Sequence, residues 1–152
     1  MRWVGMVAPA AATILAVSPA TAQVGAVQKP RTVVVEMVDF AFEPATLTVS
    51  VGDTVRFVQR TTSPHNVEFR TVPEGAELAE NPVPPAEGPS GTLSSPPSPP
   101  ARMGRYLTQV GETYEFLIDE HFAAGTYDYV CTPHEALGMT GTIVVEDRGR
   151  EK

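Results

Sequence analysis

A single cysteine, Cys131, stands among the 152 residues. One thiol closes no disulfide within the chain, so no internal cross-link staples this fold and the sulfur is left for other work. Beyond the first 17 residues there is no run apolar enough to cross a bilayer. There is also no long stretch with the 3.6-residue apolar period of an amphipathic helix, which argues against a helical bundle. Basic residues are few: 11 Lys+Arg face 18 Asp+Glu, a formal net charge of −7. That balance makes nucleic acid and anionic lipid poor partners. The acidic residues form no long run, so a solvated surface that keeps the chain in solution accounts for them.

The N-terminus carries the one strongly apolar stretch. Arg2 supplies a positive start, Val4 to Val17 is interrupted only by Gly5, Pro9 and Thr13, and Ala20-Thr21-Ala22 stands before Gln23 as a small-residue cleavage site. The run is shorter than the roughly 20 residues a spanning helix needs, and no cysteine lies near the cleavage site to carry a lipid. Residues 1–22 are therefore expected to be a signal peptide, with export to the periplasm or another extracytoplasmic space. Removal of Arg2 leaves ten basic residues against 18 acidic, a net charge of −8 on the mature chain. The rest suits one domain, expected to be monomeric and without a membrane span, over residues 31–146 between tails at 23–30 and 147–152.

Strand signals dominate that domain. Arg31 to Val38 is β-branched, with Val33 and Val35 on one face and Val34 and Glu36 on the other. Leu47, Val49 and Val51 alternate with Thr48 and Ser50, Gly52-Asp53 marks a turn, and Val55 and Phe57 alternate with Arg56 and Val58. His65 to Arg70, Tyr114 to Ile118, Thr126 to Val130 and Thr140 to Glu146 complete the set. Phe40, Phe42, Phe57, Phe69 and Phe116 read as core residues at strand spacing. Seven or eight short strands with Gly, Pro and Asp punctuation predict an all-β fold, a Greek-key β-sandwich. One stretch departs from it: nine prolines fall between Pro73 and Pro100, with apolar residues too sparse for a core layer, so an insertion is expected over about 73–100.

Chemistry concentrates in Cys131-Thr132-Pro133-His134, followed by Met139. A thiolate, an imidazole and a thioether within nine residues can wrap one soft metal ion, and Pro64-His65-Asn66 offers a second imidazole between two strand-like segments. Two His, one Cys and a weak axial Met make the ligand set of blue copper electron-transfer sites. Asn66 and Thr132, each adjacent to a ligand, are candidates for hydrogen bonds that tie the two ligand segments together. Pro133 has no N–H to offer the Cys131 sulfur. His121, in the polar turn Asp119-Glu120-His121-Phe122, reads as an exposed or capping histidine. Met37 and Met103 read as packing or surface residues.

Val51-Gly52-Asp53-Thr54-Val55, Pro64-His65-Asn66-Val67 and Gly125 to His134 through Gly138-Met139 resemble the plastocyanin, pseudoazurin and amicyanin group of cupredoxins. The resemblance covers about residues 31–146 apart from the Pro-rich stretch. The four residues between His134 and Met139 are similar to plastocyanin and pseudoazurin, whereas amicyanin has a shorter gap. It implies one type 1 copper ion held by His65, Cys131, His134 and Met139, with His134 reaching the surface through an apolar ring for which Pro64, Pro133, Ala136, Leu137 and Gly138 are placed. Val130 stands where plant plastocyanins carry an exposed tyrosine, and the insertion replaces their acidic region, so their partner does not carry over.

Three functional classes follow. The first is an exported carrier that passes one electron between redox proteins such as a cytochrome or an oxidase or reductase, and is not an enzyme. The second is a copper-binding or copper-delivery protein without a shuttle role. The third, a hydrolase using Cys131 and His134, lacks an evident orienting group and oxyanion donors.

Overall fold

A computed structural model describes residues 29–79 and 101–147. Among the described residues there are eight strands: β1 (Thr32–Val38), β2 (Ala41–Glu43), β3 (Thr46–Ser50), β4 (Thr54–Gln59), β5 (Glu68–Thr71), β6 (Thr113–Leu117), β7 (Gly125–Val130) and β8 (Thr140–Glu146), with a short 3-10 turn, Thr132–Leu137, before the last. They form two four-stranded sheets, ordered β2-β1-β4-β6 and β3-β8-β7-β5. This is the expected sandwich, built on the expected alternation: Val35, Met37, Val55 and Phe57 are buried on the inner face of the first sheet, and Leu47, Val49, Tyr127, Tyr129 and Ile143 on that of the second. Aromatic edges join the two layers, with Phe42 and Phe57 meeting Tyr129 at ring-centre separations of 4.8 and 5.4 Å. Tyr129 fills the space over Gly141, where any Cβ would collide with its ring.

Short loops bring one set of strand ends together. β1 runs parallel to β4, with Met37 opposite Gln59, so both leave their sheet at the same end. In the other sheet Val130 closes β7 opposite both Glu68, which opens β5, and Thr140, which opens β8. The loop from β4 to β5 therefore lies against the turn from β7 to β8, and both ligand segments are on these connections.

Two sequence expectations change. Phe40 is 50% exposed, because it stands on the turn between β1 and β2 and not within a strand. His65 to Val67 precede β5, and His65 instead pairs singly with Leu107, each donating its N–H to the other's carbonyl. The signal peptide, most of the N-terminal tail and residues 148–152 lie outside the described residues.

The beginning of the Pro-rich stretch packs on the domain. Ala76 and Leu78 lie against the core, Pro73 covers Gly125, and the Glu77 N–H donates to the His121 carbonyl at 2.8 Å. Ala79 pairs with Ala101, and the Arg102 N–H donates to the Ala79 carbonyl at 2.7 Å. Residues 80–100 lie outside the described residues, and Ala79 and Ala101, which flank them, pair at this bridge. Replacing 80–100 with a four-residue Gly/Ser linker is expected to preserve fold and metal binding, because shortening a closed loop changes its closure cost by only about 1–2 kcal/mol. A thermal melt and a copper titration check this; loss of either would show that the segment packs on the domain.

Candidate metal centre

The turn after β7 begins at Cys131, which is fully buried. Its N–H donates to the Met139 carbonyl at 3.0 Å, its carbonyl accepts from the His134 N–H at 3.0 Å, and the Met139 N–H donates to the His134 carbonyl at 3.2 Å. Three backbone bonds thus hold the Cys, His and Met segments to one another. Gly138 ends the 3-10 turn in the left-handed region at φ 86°, a conformation that favours glycine and returns the chain to β8.

His65, from the other loop, completes the group. His65, Cys131 and His134 each offer a ligand atom within 4.8 Å of the others. Cys131 Sγ lies 3.3 Å from His134 Nδ1, and the two imidazole rings cross at a centre separation of 4.9 Å. Met139 is fully buried on the same turn. Three donors from two loops, the His65 and His134 rings and the Cys131 sulfur, converge where a single ion can be held, and the chemistry of the set suits copper.

Burial acts on the two groups in opposite senses: it disfavours the thiolate form of Cys131 and favours the neutral ring of His65. Burial pushes the Cys131 thiol up, while the backbone N–H groups of Asn66 and His134 pull it back only in part. In the metal-free chain the thiol is therefore protonated at neutral pH, and metal binding releases that proton, so affinity rises with pH. Burial lowers the His65 pKa; the Asp39 carbonyl raises it and the proximity of His134 lowers it further. Desolvation and the neighbouring His134 thus both favour the neutral imidazole, the form that ligates metals.

Asn66 and Thr132 bond as the sequence suggests. The Asn66 amide donates to Thr132 Oγ1 at 3.0 Å and accepts from the Thr132 N–H at 2.8 Å, and Thr132 Oγ1 donates in turn to Glu68 Oε2 at 2.7 Å. Arg70 extends this chain to Glu135 on the turn, at 2.7 Å. Asn66→Ala is expected to cost about 1–2 kcal/mol by leaving the Thr132 N–H without its partner. Chemical denaturation of the metal-free protein measures it, and an unchanged midpoint would show that this link does not brace the loop.

His134 is the ligand candidate nearest the surface. Pro64, Pro133, Ala136, Leu137 and Gly138 are all exposed, Leu137 at 62%. Phe40, which sequence reasoning assigned to the core, meets the His134 ring edge-on at 5.1 Å. A phenylalanine beside Asp39 in a two-residue turn was the available signal. Gln59 was also missed, since nothing in its sequence context separates it from other strand-end polar residues; it is fully buried and 2.8 Å from His65. His121 lies apart, with Nδ1 3.0 Å from Asp119 Oδ1.

The family model for copper-binding proteins of the plastocyanin/azurin type matches residues 30–146. The chain belongs to that family. It is 36% identical over 107 residues to plastocyanin from Scenedesmus fuscus, covering 69% of this chain and 86% of that protein. To plastocyanin from Prochlorothrix hollandica it is 33% identical over 105 residues, covering 69% of this chain but 63% of the relative's length. A solved structure of an amicyanin variant in the Cu(I) form matches with a TM-score of 0.50 at 30% identity, covering 76% of this chain and 82% of that one. Copper is thus the cofactor of this plastocyanin/azurin-family chain, and the His65, Cys131 and His134 donors fit it.

Proposed function

We propose that this chain is an exported one-electron carrier with a mononuclear type 1 copper site, its ligands being His65, Cys131, His134 and Met139. The observation that supports it best is the convergence of Cys131, His65 and His134 on the turn that also buries Met139. Bound copper supplies the chemistry, taking up one electron as Cu(II) and returning it as Cu(I). The Cys131 thiolate would hold the ion and, as the strongest electron donor of the set, would offer the electron a route. The imidazoles of His65 and His134 suit both oxidation states. Met139, a weak thioether donor, disfavours Cu(II) relative to Cu(I) and raises the potential. The backbone bonds that join Cys131, His134 and Met139 brace the turn that would hold the ion, which limits how far these groups can move between oxidation states.

Among the described residues Met37 and Met139 are fully buried and Met103 is the one exposed methionine, so no exposed Met/His cluster of the kind expected for copper delivery occurs there. The exposed apolar residues that flank His134 in the chain, with Glu135 beside it paired to Arg70, make a small contact from which a redox partner can separate quickly. The mature net charge of −8 steers a basic exported protein, such as a cytochrome, toward it from farther away. Residues 23–152, expressed and given Cu(II), are expected to turn intensely blue and to bleach with a mild reductant. A colourless copper complex, or colour that no reductant removes, overturns the carrier reading.

A further inference from the structure

Gln59 ends β4 with no side-chain surface in contact with solvent. Its Nε2 donates to the Ser63 carbonyl at 2.6 Å and to the Leu107 carbonyl at 3.1 Å. Those two acceptors fix the orientation of the amide, because turning it over would set its oxygen against two carbonyl oxygens. Oε1 is thereby held 2.8 Å from His65 Nδ1. The other ring nitrogen, Nε2, faces the Asp39 carbonyl at 3.3 Å.

Both ring nitrogens of His65 therefore face oxygens that can only accept, while a neutral imidazole carries one N–H. One of the two pairs must lack a proton. A metal-ligating histidine ordinarily gives its N–H to a backbone carbonyl and its other nitrogen to the metal. Asp39 supplies that carbonyl at Nε2, which leaves the Nδ1 lone pair for the metal, beside a glutamine oxygen that the fold cannot turn away.

Resting on the copper reading above, we propose that Gln59 belongs to the metal site as a fifth, oxygen donor. In the metal-free chain the one ring proton sits on Nδ1 and is donated to the Gln59 oxygen; with copper on Nδ1 the proton sits on Nε2 toward the Asp39 carbonyl, and the Gln59 oxygen, 2.8 Å from the ligating nitrogen, is left free for the ion. An amide oxygen is a harder donor than a thioether, so Gln59 favours Cu(II) over Cu(I) and opposes the effect of Met139. The site would then combine a strong thiolate, two imidazoles, a weak thioether and one oxygen placed by β4.

The test compares wild type, Gln59→Leu and Gln59→Asn by competitive titration with Cu(II) and with Cu(I), and by Co(II) titration followed by its visible spectrum. Leucine removes the oxygen at similar size; asparagine keeps the amide but withdraws it by one methylene, and stands in should the leucine protein fail to fold. Each variant is expected to lose about tenfold or more in the ratio of Cu(II) to Cu(I) affinity, with a comparable loss for Co(II). Melting of the metal-free proteins separates this from plain destabilisation, which lowers both copper affinities together and leaves their ratio alone. An unchanged ratio in a folded variant overturns the fifth-donor role while wild type still turns blue. A wild type that binds no copper overturns the carrier reading itself.

Discussion

Cys131→Ser is expected to abolish the intense visible absorption of the copper-loaded protein. A hydroxyl cannot donate the electron density that a thiolate gives to Cu(II), and no second cysteine exists to replace it. Serine is close in size to the fully buried Cys131, and the backbone bonds to His134 and Met139 do not involve the side chain, so the fold is expected to survive. Met139→Gln, in contrast, is expected to leave a copper protein with a lowered reduction potential, because an oxygen donor stabilises Cu(II) where the thioether does not. Absorption spectra and redox titration of the two variants check both statements. A serine variant that stays blue, or a glutamine variant with an unchanged or higher potential, would remove these residues from their proposed roles.

Leu137→Glu is expected to slow electron transfer to a redox partner at every ionic strength. Leu137 is 62% exposed on the turn that carries His134, so a carboxylate there places a hydrated charge in a contact that must lose its water. Added salt acts differently. It slows the wild type only by screening the long-range attraction between the acidic chain, whose formal net charge is −7, and a basic partner. Rates measured against salt for both proteins separate the two effects. The copper spectrum taken alongside shows whether the site is intact, and a Leu137→Glu protein with unaltered spectrum and full transfer rate would exclude this patch.

The local patterns were legible because side-chain alternation has a period of two in any half-buried strand. Thr32–Val38, Thr54–Gln59 and Thr140–Glu146 lie where alternation and turn residues place them. The three-residue strand Ala41–Glu43 escaped, being too short to show a period, and with it the exposure of Phe40. The run from His65 to Arg70 alternates as a strand does, yet only Glu68–Thr71 pairs as one, since His65 bonds to Leu107 and a loop carries it to Cys131. The chain from Asn66 through Thr132 to Glu68 was half visible: adjacency to the ligands suggested the first link, while Glu68 depended on strand pairing.

Composition and spacing by themselves determined the fold class and singled out a copper-type set of candidate donors, because a lone cysteine three residues before a histidine leaves few chemistries for that sulfur. They do so through short-range rules: periodicity along a strand and reach along a turn. What lies across the fold was decided only in three dimensions. Whether Phe40 faces His134, whether residues 73–79 pack on the core, and above all that the buried amide of Gln59 meets His65 depend on how two sheets and their loops close upon one another. Gln59 and His65 are six positions apart on different elements. No periodicity links them, and their meeting follows from the backbone carbonyls of Ser63 and Leu107, which leave the glutamine oxygen one direction to face.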